Sequence, residues 1–250
     1  MHDSTRNLLY DQPELYELIY PDPDEVTPNY CLRAWAAYLP APPRSVLDIG
    51  CGTARDLNVL SRRIPDCWGV DFQERAIAYA TRLRPHLRLV QGDMRSLQLG
   101  RTFDAIISFG STLLYALEQD DLTATLSSVA RHAHPGTLLL LDLTNASAFL
   151  PGGRASTSRS IATDVPGFTA MAQHTITFDR TRQHFIRERV WTIPGSEKVS
   201  DFCRYRMLFP QELRALLGAA GWEVLGMWDN QQLTATDLTG PTLYVAARLR

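Results

Sequence analysis

Short apolar runs recur through the middle of the chain, and between them lie stretches whose apolar positions fall three and four apart. The runs are too short for helices and the stretches between them too long for turns, so the pattern reads as strand alternating with helix. It predicts strand 45–49, helix 54–63, strand 67–70, helix 73–83, strand 87–91, strand 103–109, helix 119–133 and strand 137–143. Such alternation implies a parallel sheet with both faces covered. Ligands in such sheets sit at the carboxyl ends of the strands, near the point where strand order reverses.

Before this block, Asp11-Gln12-Pro13-Glu14 reads as a helix start leading into Leu15–Tyr20, ended by Pro21-Asp22-Pro23-Asp24. Thr27-Pro28 starts a second helix running to about Leu39. After the block the rhythm changes. Phe168–Phe178 and His184–Trp191 alternate with a period of two, which reads as antiparallel hairpins inserted into the α/β pattern. A helix to about Ala220, a strand at 221–226 and a last strand at 242–247 close the chain. The expected organisation is a helical lid over 1–40, an α/β domain over 41–146 and 208–250, and a β cap over 147–207.

Three acids mark strand ends. The first run passes into Asp48-Ile49-Gly50-Cys51-Gly52-Thr53-Ala54-Arg55, where the glycines allow close backbone approach and the helix start offers N–H groups to an anion. A dinucleotide fingerprint needs a small residue where Arg55 stands, which disfavours NAD. Asp71 follows at about the 20-residue spacing of a ribose-binding carboxylate, and Asp71-Phe72-Gln73-Glu74 reads equally as a helix cap. The third acid lies in Val90-Gln91-Gly92-Asp93-Met94-Arg95.

Together these segments resemble the class I S-adenosylmethionine-dependent methyltransferases, with Ala54 in place of a third glycine. The resemblance implies a Rossmann-like seven-stranded sheet with an antiparallel last strand, S-adenosyl-L-methionine as cofactor and S-adenosyl-L-homocysteine as product. It implies that Asp48, Gly50, Cys51, Gly52 and Thr53 meet the methionine end, Asp71 and Phe72 the ribose, Asp93 and Met94 the adenine, and Ser108 and Phe109 the region of the methyl. Within the class the chain is similar to small-molecule N-methyltransferases, particularly those of nucleotide-linked aminosugars. That similarity rests on Tyr16/Tyr20, on Gln91–Arg95, on the Leu99-Gly100-Arg101 turn with Phe103, and on Ser108–Tyr115.

By the same resemblance Tyr20 faces cofactor and acceptor, with Tyr16, Ser111 and Tyr115 on the acceptor side; by their helical spacing Tyr10 and Tyr16 read first as packing a helix onto the core with hydroxyls at the rim. A neutral amine suffices as nucleophile; otherwise His174, His184, or a relay through Tyr20 or Tyr115 would supply a base. Transfer to oxygen is the nearest rival, and a cofactor-binding protein that transfers nothing is a third reading. The motifs of nucleic-acid amino and pyrimidine C5 methyltransferases are missing, and Asp142 with Asn145 does not reproduce the acid–amide pair of metal-dependent O-methyltransferases. No metal is called for.

Net charge is −2 and no basic stripe is present, which excludes a nucleic-acid surface. No apolar stretch approaches a membrane span, so the expected setting is cytoplasmic, with a homodimer as one possible assembly. The four cysteines have neither zinc nor C-x-x-C spacing and read as free thiols. Residues 151–207 carry nine Lys/Arg against five Asp/Glu, which would steer an acceptor bearing a carboxylate or phosphate. Arg206 is the expected pocket-facing cation; Arg187 and Arg189 read as the solvent face of a hairpin. Asp71→Ala is expected to weaken cofactor binding with little loss of fold, and Gly50→Val to do worse by blocking the ligand.

Overall fold

The protein is represented by a computed structural model that describes residues 7–22, 24–165 and 168–250. Residues 1–6 of the expected lid and Pro23 of the expected helix breaker lie outside the described residues. The chain opens with helices α1 (Leu8–Asp11), α2 (Pro13–Ile19) and α3 (Val26–Tyr38). It continues through β1 (Ser45–Ile49), α4 (Arg55–Leu60), β2 (Asp66–Asp71), α5 (Glu74–Leu83), β3 (Arg88–Gln91), β4 (Phe103–Ser108), α6 (Gln119–Arg131) and β5 (Ala133–Thr144). Four strands follow, β6 (Ser158–Val165), β7 (Phe168–Asp179), β8 (His184–Thr192) and β9 (Val199–Arg206). The chain ends with α7 (Pro210–Ala219), β10 (Trp222–Trp228) and β11 (Thr242–Leu249).

Seven strands form one sheet in the order β10-β11-β5-β4-β1-β2-β3. β1 through β5 pair in parallel, and β11 runs antiparallel to both β5 and β10. Each residue of β1 is buried, as an apolar central strand covered on both faces must be. Leu47, Ile106, Leu139 and Leu141 pack on one face with Leu122 and Leu126 of α6 and Leu213 and Leu217 of α7. Val46, Ala105, Ile107 and Leu140 pack on the other with Tyr30 and Trp35 of α3 and Leu57 and Leu60 of α4. The order of strands reverses beside β1, so the Gly50 loop opens at the switch point.

Two expected helix starts are corrected. Asp11 is the last residue of α1 and does not cap α2; Asn7 caps α1 by accepting the Leu9 N–H at 3.1 Å, and α2 begins at Pro13 without a side-chain cap. The helix expected from residue 54 begins at Arg55, because Ala54 is left-handed with φ of 58°, and it runs only to Leu60.

β6, β7, β8 and β9 form a separate four-stranded antiparallel sheet. Its alternation places Phe185, Arg187, Arg189 and Trp191 in one phase of β8, opposite Asp201, Cys203 and Tyr205 of β9. That face is the inner one. Ala170, Ala172 and Trp191 pack on Leu8, Leu9 and Ile19 of the N-terminal helices, while Phe185, Cys203 and Tyr205 join the core of the α/β domain. The expectation that Arg189 lines the solvent face is therefore reversed, because the period-two phase it shares with Phe185 and Trp191 turns it inward.

Arg189 and Asp201 form a buried ion pair at 2.7 Å. The Asp201 carboxylate also accepts from the Trp191 indole at 2.7 Å and from the Leu8 backbone N–H at 2.7 Å, and Arg189 donates to the Asn7 amide oxygen at 2.8 Å. This network fastens α1 to the four-stranded sheet. Removing one partner of a buried pair strands the other charge, at a cost of about 3–5 kcal/mol. Asp201→Ala is expected to lose stability on that scale in urea denaturation; a loss below about 1 kcal/mol would match an exposed pair instead.

Candidate functional site

A cleft of about 520 Å³ opens at the carboxyl ends of the parallel strands, walled on one side by α1 and α2. β1 delivers its floor. The Gly50 and Cys51 N–H groups donate to the Val70 carbonyl at 2.7 and 3.0 Å, pinning the loop to β2. Gly50, Gly52 and Ala54 all take positive φ, at 80°, 54° and 58°, which tightens the turn into α4. A Cβ on Gly50 would overlap the Thr112 side chain, whereas one on Gly52 would meet nothing within 4 Å. Gly50 is thus demanded by the fold, and Gly52 is the glycine that leaves ligand room.

Asp71 does a different job from a helix cap. One carboxylate oxygen accepts the Gly52 N–H and the other the Gln73 N–H, each at 2.8 Å, so Asp71 ties the glycine loop to the end of β2. The helix it precedes is capped at Gln73 with no side-chain bond. The Gly52 N–H, expected to be free for an anion, is already used. Burial pushes the Asp71 carboxyl up, and the N–H groups of Gln73, Gly52 and Phe72 counter it.

Three more acids line the same cleft: Asp48, Asp56 and Asp142. Burial raises the Asp48 carboxyl well above its ordinary range, and Asp56 and Asp71 raise it further. Asp56 is raised by burial although Arg55 stands 3.1 Å away. Asp142 is pushed up to about 6 by burial, opposed by N–H groups of Ser111 and Gly110. Asn145, once considered with it, turns elsewhere and donates to the Leu238 and Gly240 carbonyls. At the other end Asp93 and Met94 face the cleft, but Arg95 clasps the Asp93 carboxylate at 2.6 Å and holds its carboxyl below the ordinary range. Phe72 lines the rim.

Of the remaining expected residues, Cys51, Thr53, Phe109, Tyr16 and Tyr115 line the cleft; Tyr20, Ser108, Ser111, His174 and Arg206 do not. Ser108 donates to the Ile49 carbonyl at 2.8 Å and joins β4 to β1. The Ser111 hydroxyl is spent on Thr144 at 3.1 Å. Tyr20 stacks on Tyr16 at 5.5 Å and its carbonyl accepts from Arg55. His174 is buried in β7, where Arg159 donates to its Nδ1 at 2.9 Å. Burial, then Arg159, drives its proton affinity down to about 3, so it stays neutral away from the cleft. His184 is buried too, with Nε2 at 3.3 Å from the Leu117 carbonyl. Arg206 is tied to Glu212 at 3.1 Å and to Gln183 at 3.0 Å.

Tyr10, expected from its spacing to be a packing residue, lines the cleft and shares a hydrogen bond with the Tyr115 hydroxyl. Asp56 and Thr27 are also cleft residues that no sequence motif marks. Asp56 carries one local signal, its place one residue after the departure at Arg55.

The family profile for a methyltransferase domain matches residues 46–136, the stretch that builds the floor of the cleft. Residues 46–136 are thus similar to a methyltransferase domain. Over 98 residues, 39% of this chain and 41% of its relative, the domain is 34% identical to dTDP-3-amino-3,4,6-trideoxy-alpha-D-glucopyranose N,N-dimethyltransferase of Streptomyces venezuelae. The chain thus spans about two-fifths of that relative. It is 29% identical to cypemycin N-terminal methyltransferase of a Streptomyces species over 225 residues, 88% of this chain and 89% of that one. Among solved structures, DesVI of Streptomyces venezuelae has a TM-score of 0.80 at 22% identity, covering 98% of this chain and all of that one. At that identity the likeness is one of fold. No helix among the described residues is long and apolar enough to cross a membrane.

Two expectations follow for the acids of the cleft. Asp71→Ala should destabilise the protein itself by about 1–3 kcal/mol, because it leaves two partly buried N–H groups unpaired; chemical denaturation reads this without any ligand. Asp142 has a folded pKa above its unfolded one, so its burial penalty is present in full above about pH 6 and is relieved as pH falls through that value. Asp142→Asn should therefore raise the melting temperature at pH 8, and the gain should shrink between pH 6 and pH 4.

Proposed function

We propose that this protein transfers a methyl group from S-adenosylmethionine to nitrogen of a small-molecule acceptor. The observation that carries the reading is the row of acids along one cleft, Asp48, Asp56 and Asp142 at one end and Asp71 at the next strand, beside a glycine with no Cβ to fill the space. The cofactor, when bound, supplies a sulfonium-activated methyl and an ammonium, both cationic, which suits a cleft rich in carboxylates. Asp71 keeps acceptor capacity beyond its two N–H bonds for vicinal ribose hydroxyls. Met94 and Phe72 offer apolar surface to an adenine ring. α1, α2 and the four-stranded sheet act as lid and cap, and exclude water from the acceptor side.

The acceptor side favours nitrogen over oxygen. Burial keeps the Tyr10 and Tyr115 hydroxyls well above the ordinary phenol range and pushes Tyr16 up to about 12. These phenols stay protonated and orient an acceptor without taking its proton. No histidine lines the cleft among the described residues. A neutral amine needs no base, and holding its lone pair in line with the methyl supplies most of the acceleration, on the order of 7–11 kcal/mol for well-oriented reactants. The relatives named as N-methyltransferases support the same choice. Four free thiols fit a cytoplasmic setting, and the excess of Arg in the cap supports an acceptor that carries negative charge.

Calorimetry with S-adenosylmethionine and S-adenosylhomocysteine should show saturable binding of both. Incubation with methyl-labelled cofactor and a panel of amino and hydroxy acceptors, read by mass spectrometry, should place the label on nitrogen. Label on oxygen would turn the reading to the rival transfer. Binding without any turnover would favour a protein that holds the cofactor for another purpose, and absence of binding would remove the reading altogether.

A further inference from the structure

Arg187 stands in the inward phase of β8, opposite Cys203 of β9 and Ile176 of β7. Its guanidinium lies over the Tyr205 ring at 4.9 Å from the centroid. Tyr205 meets Tyr115 edge-on at 5.0 Å, and Tyr115 meets Tyr10 at 6.2 Å, so the cation stands behind the phenols that line the cleft. Its Nε and one terminal nitrogen are buried without a hydrogen-bond partner, and no ion pair among the described residues involves it. The acid in the same phase of the neighbouring strand is already used: Asp201 pairs with Arg189 at 2.7 Å.

Stacking on one aromatic ring does not repay this. A cation–π contact contributes about 0.5–2 kcal/mol, whereas burying a charge whose N–H groups are unpaired costs several. The polar side chains around the guanidinium are three phenols and one thiol. Tyr10, Tyr115 and Tyr205 are all held protonated by burial; the Tyr10 and Tyr115 hydroxyls share a hydrogen bond, and Cys203 meets the Tyr115 and Tyr205 hydroxyls, so none of these groups brings a negative charge to the guanidinium.

We propose that the Arg187 guanidinium, with the hydroxyls of Tyr10, Tyr115 and Tyr205, forms an oxyanion subsite that takes a carboxylate or phosphate group of the acceptor. This rests on the methyltransferase reading for the word acceptor, and on the cluster alone for the anion. An oxyanion entering past the Tyr10–Tyr115 pair exchanges their mutual hydrogen bond for two bonds to itself. It also gives Arg187 the counter-charge that the described residues do not supply. The anionic end of the acceptor is thereby held at the cap while its amine remains over the cleft. Tyr10 belongs to α1, so closing the N-terminal segment and completing the subsite are one event.

The test titrates the full chain, saturated with S-adenosylhomocysteine, with inorganic phosphate and separately with acetate, using calorimetry on wild type, Arg187→Met and Arg206→Met. Wild type and Arg206→Met should bind one of the two anions saturably, and Arg187→Met should bind it at least about tenfold more weakly with unchanged affinity for S-adenosylhomocysteine. Preference for phosphate assigns a phosphorylated acceptor, and preference for acetate a carboxylate-bearing one. Equal binding by Arg187→Met and wild type, or binding of neither anion by wild type, overturns the proposal. Should Arg187→Met not fold, Tyr205→Phe keeps the ring and removes one donor; it should bind the anion at least about threefold more weakly, and unchanged binding overturns the subsite. Repeating the titration without S-adenosylhomocysteine separates the two readings, since a protein that takes the anion but not the cofactor keeps the subsite and loses the methyltransferase.

Discussion

The site depends on one carboxylate held by two backbone N–H groups. Asp71 closes β2, accepts from Gly52 on one oxygen and from Gln73 on the other, and so locks the glycine loop of β1 to the neighbouring strand. The loop has left-handed backbone at three positions within five residues, a conformation that costs free energy wherever the residue is not glycine. The bonds from Gly50 and Cys51 to the Val70 carbonyl and the Asp71 bridge hold it there. A pre-set loop of this kind presents its open side at Gly52 without having to reorganise when a ligand arrives.

Around that loop the charges divide by element. The floor, built from β1, β2, β5 and the start of α4, is acidic and buried, so each of its carboxyls is pushed upward. The opposite wall, built from α1, α2 and the turn at Tyr115, presents phenols, and an unpaired guanidinium of β8 stands behind them. Opposite polarity across one cleft is what two ligands of opposite charge would require, a cationic cofactor on the floor and an anionic acceptor under the cap. Arg55 links the two sides: its guanidinium donates to the Tyr20 carbonyl, pairs with Asp56 and lies 5.8 Å from the Tyr16 ring.

The α/β alternation, the order of elements and the floor of the cleft were readable because they rest on local signals. Val46–Ile49 is a short apolar run before a glycine turn, and such runs form central strands whatever else the chain does. The acids at 48, 71 and 93 could be placed for the same reason, since each lies at or close to the end of a parallel strand. What each acid does was less legible: Asp71 serves the loop before it serves a ligand, and Asp93 is engaged by Arg95, because both depend on hydrogen bonds that spacing does not reveal. On the cap, spacing alone did not separate the arginines. Arg206 ends β9 and finds Glu212 in the next helix, whereas Arg187 sits mid-strand in phase with Phe185 and Trp191, and that phase was a signal present in the sequence.

The sequence by itself determined the strand–helix rhythm, the glycine turn and the acids that end the strands, because these follow from periodicity and from backbone freedom over a few residues. Only the tertiary structure decided which side chains share the cleft. Tyr10 and Tyr115, like Asp56 and Asp142, come from segments far apart along the chain. Whether a polar group among them is satisfied or left without a partner depends on how the sheets and the N-terminal helices bury it.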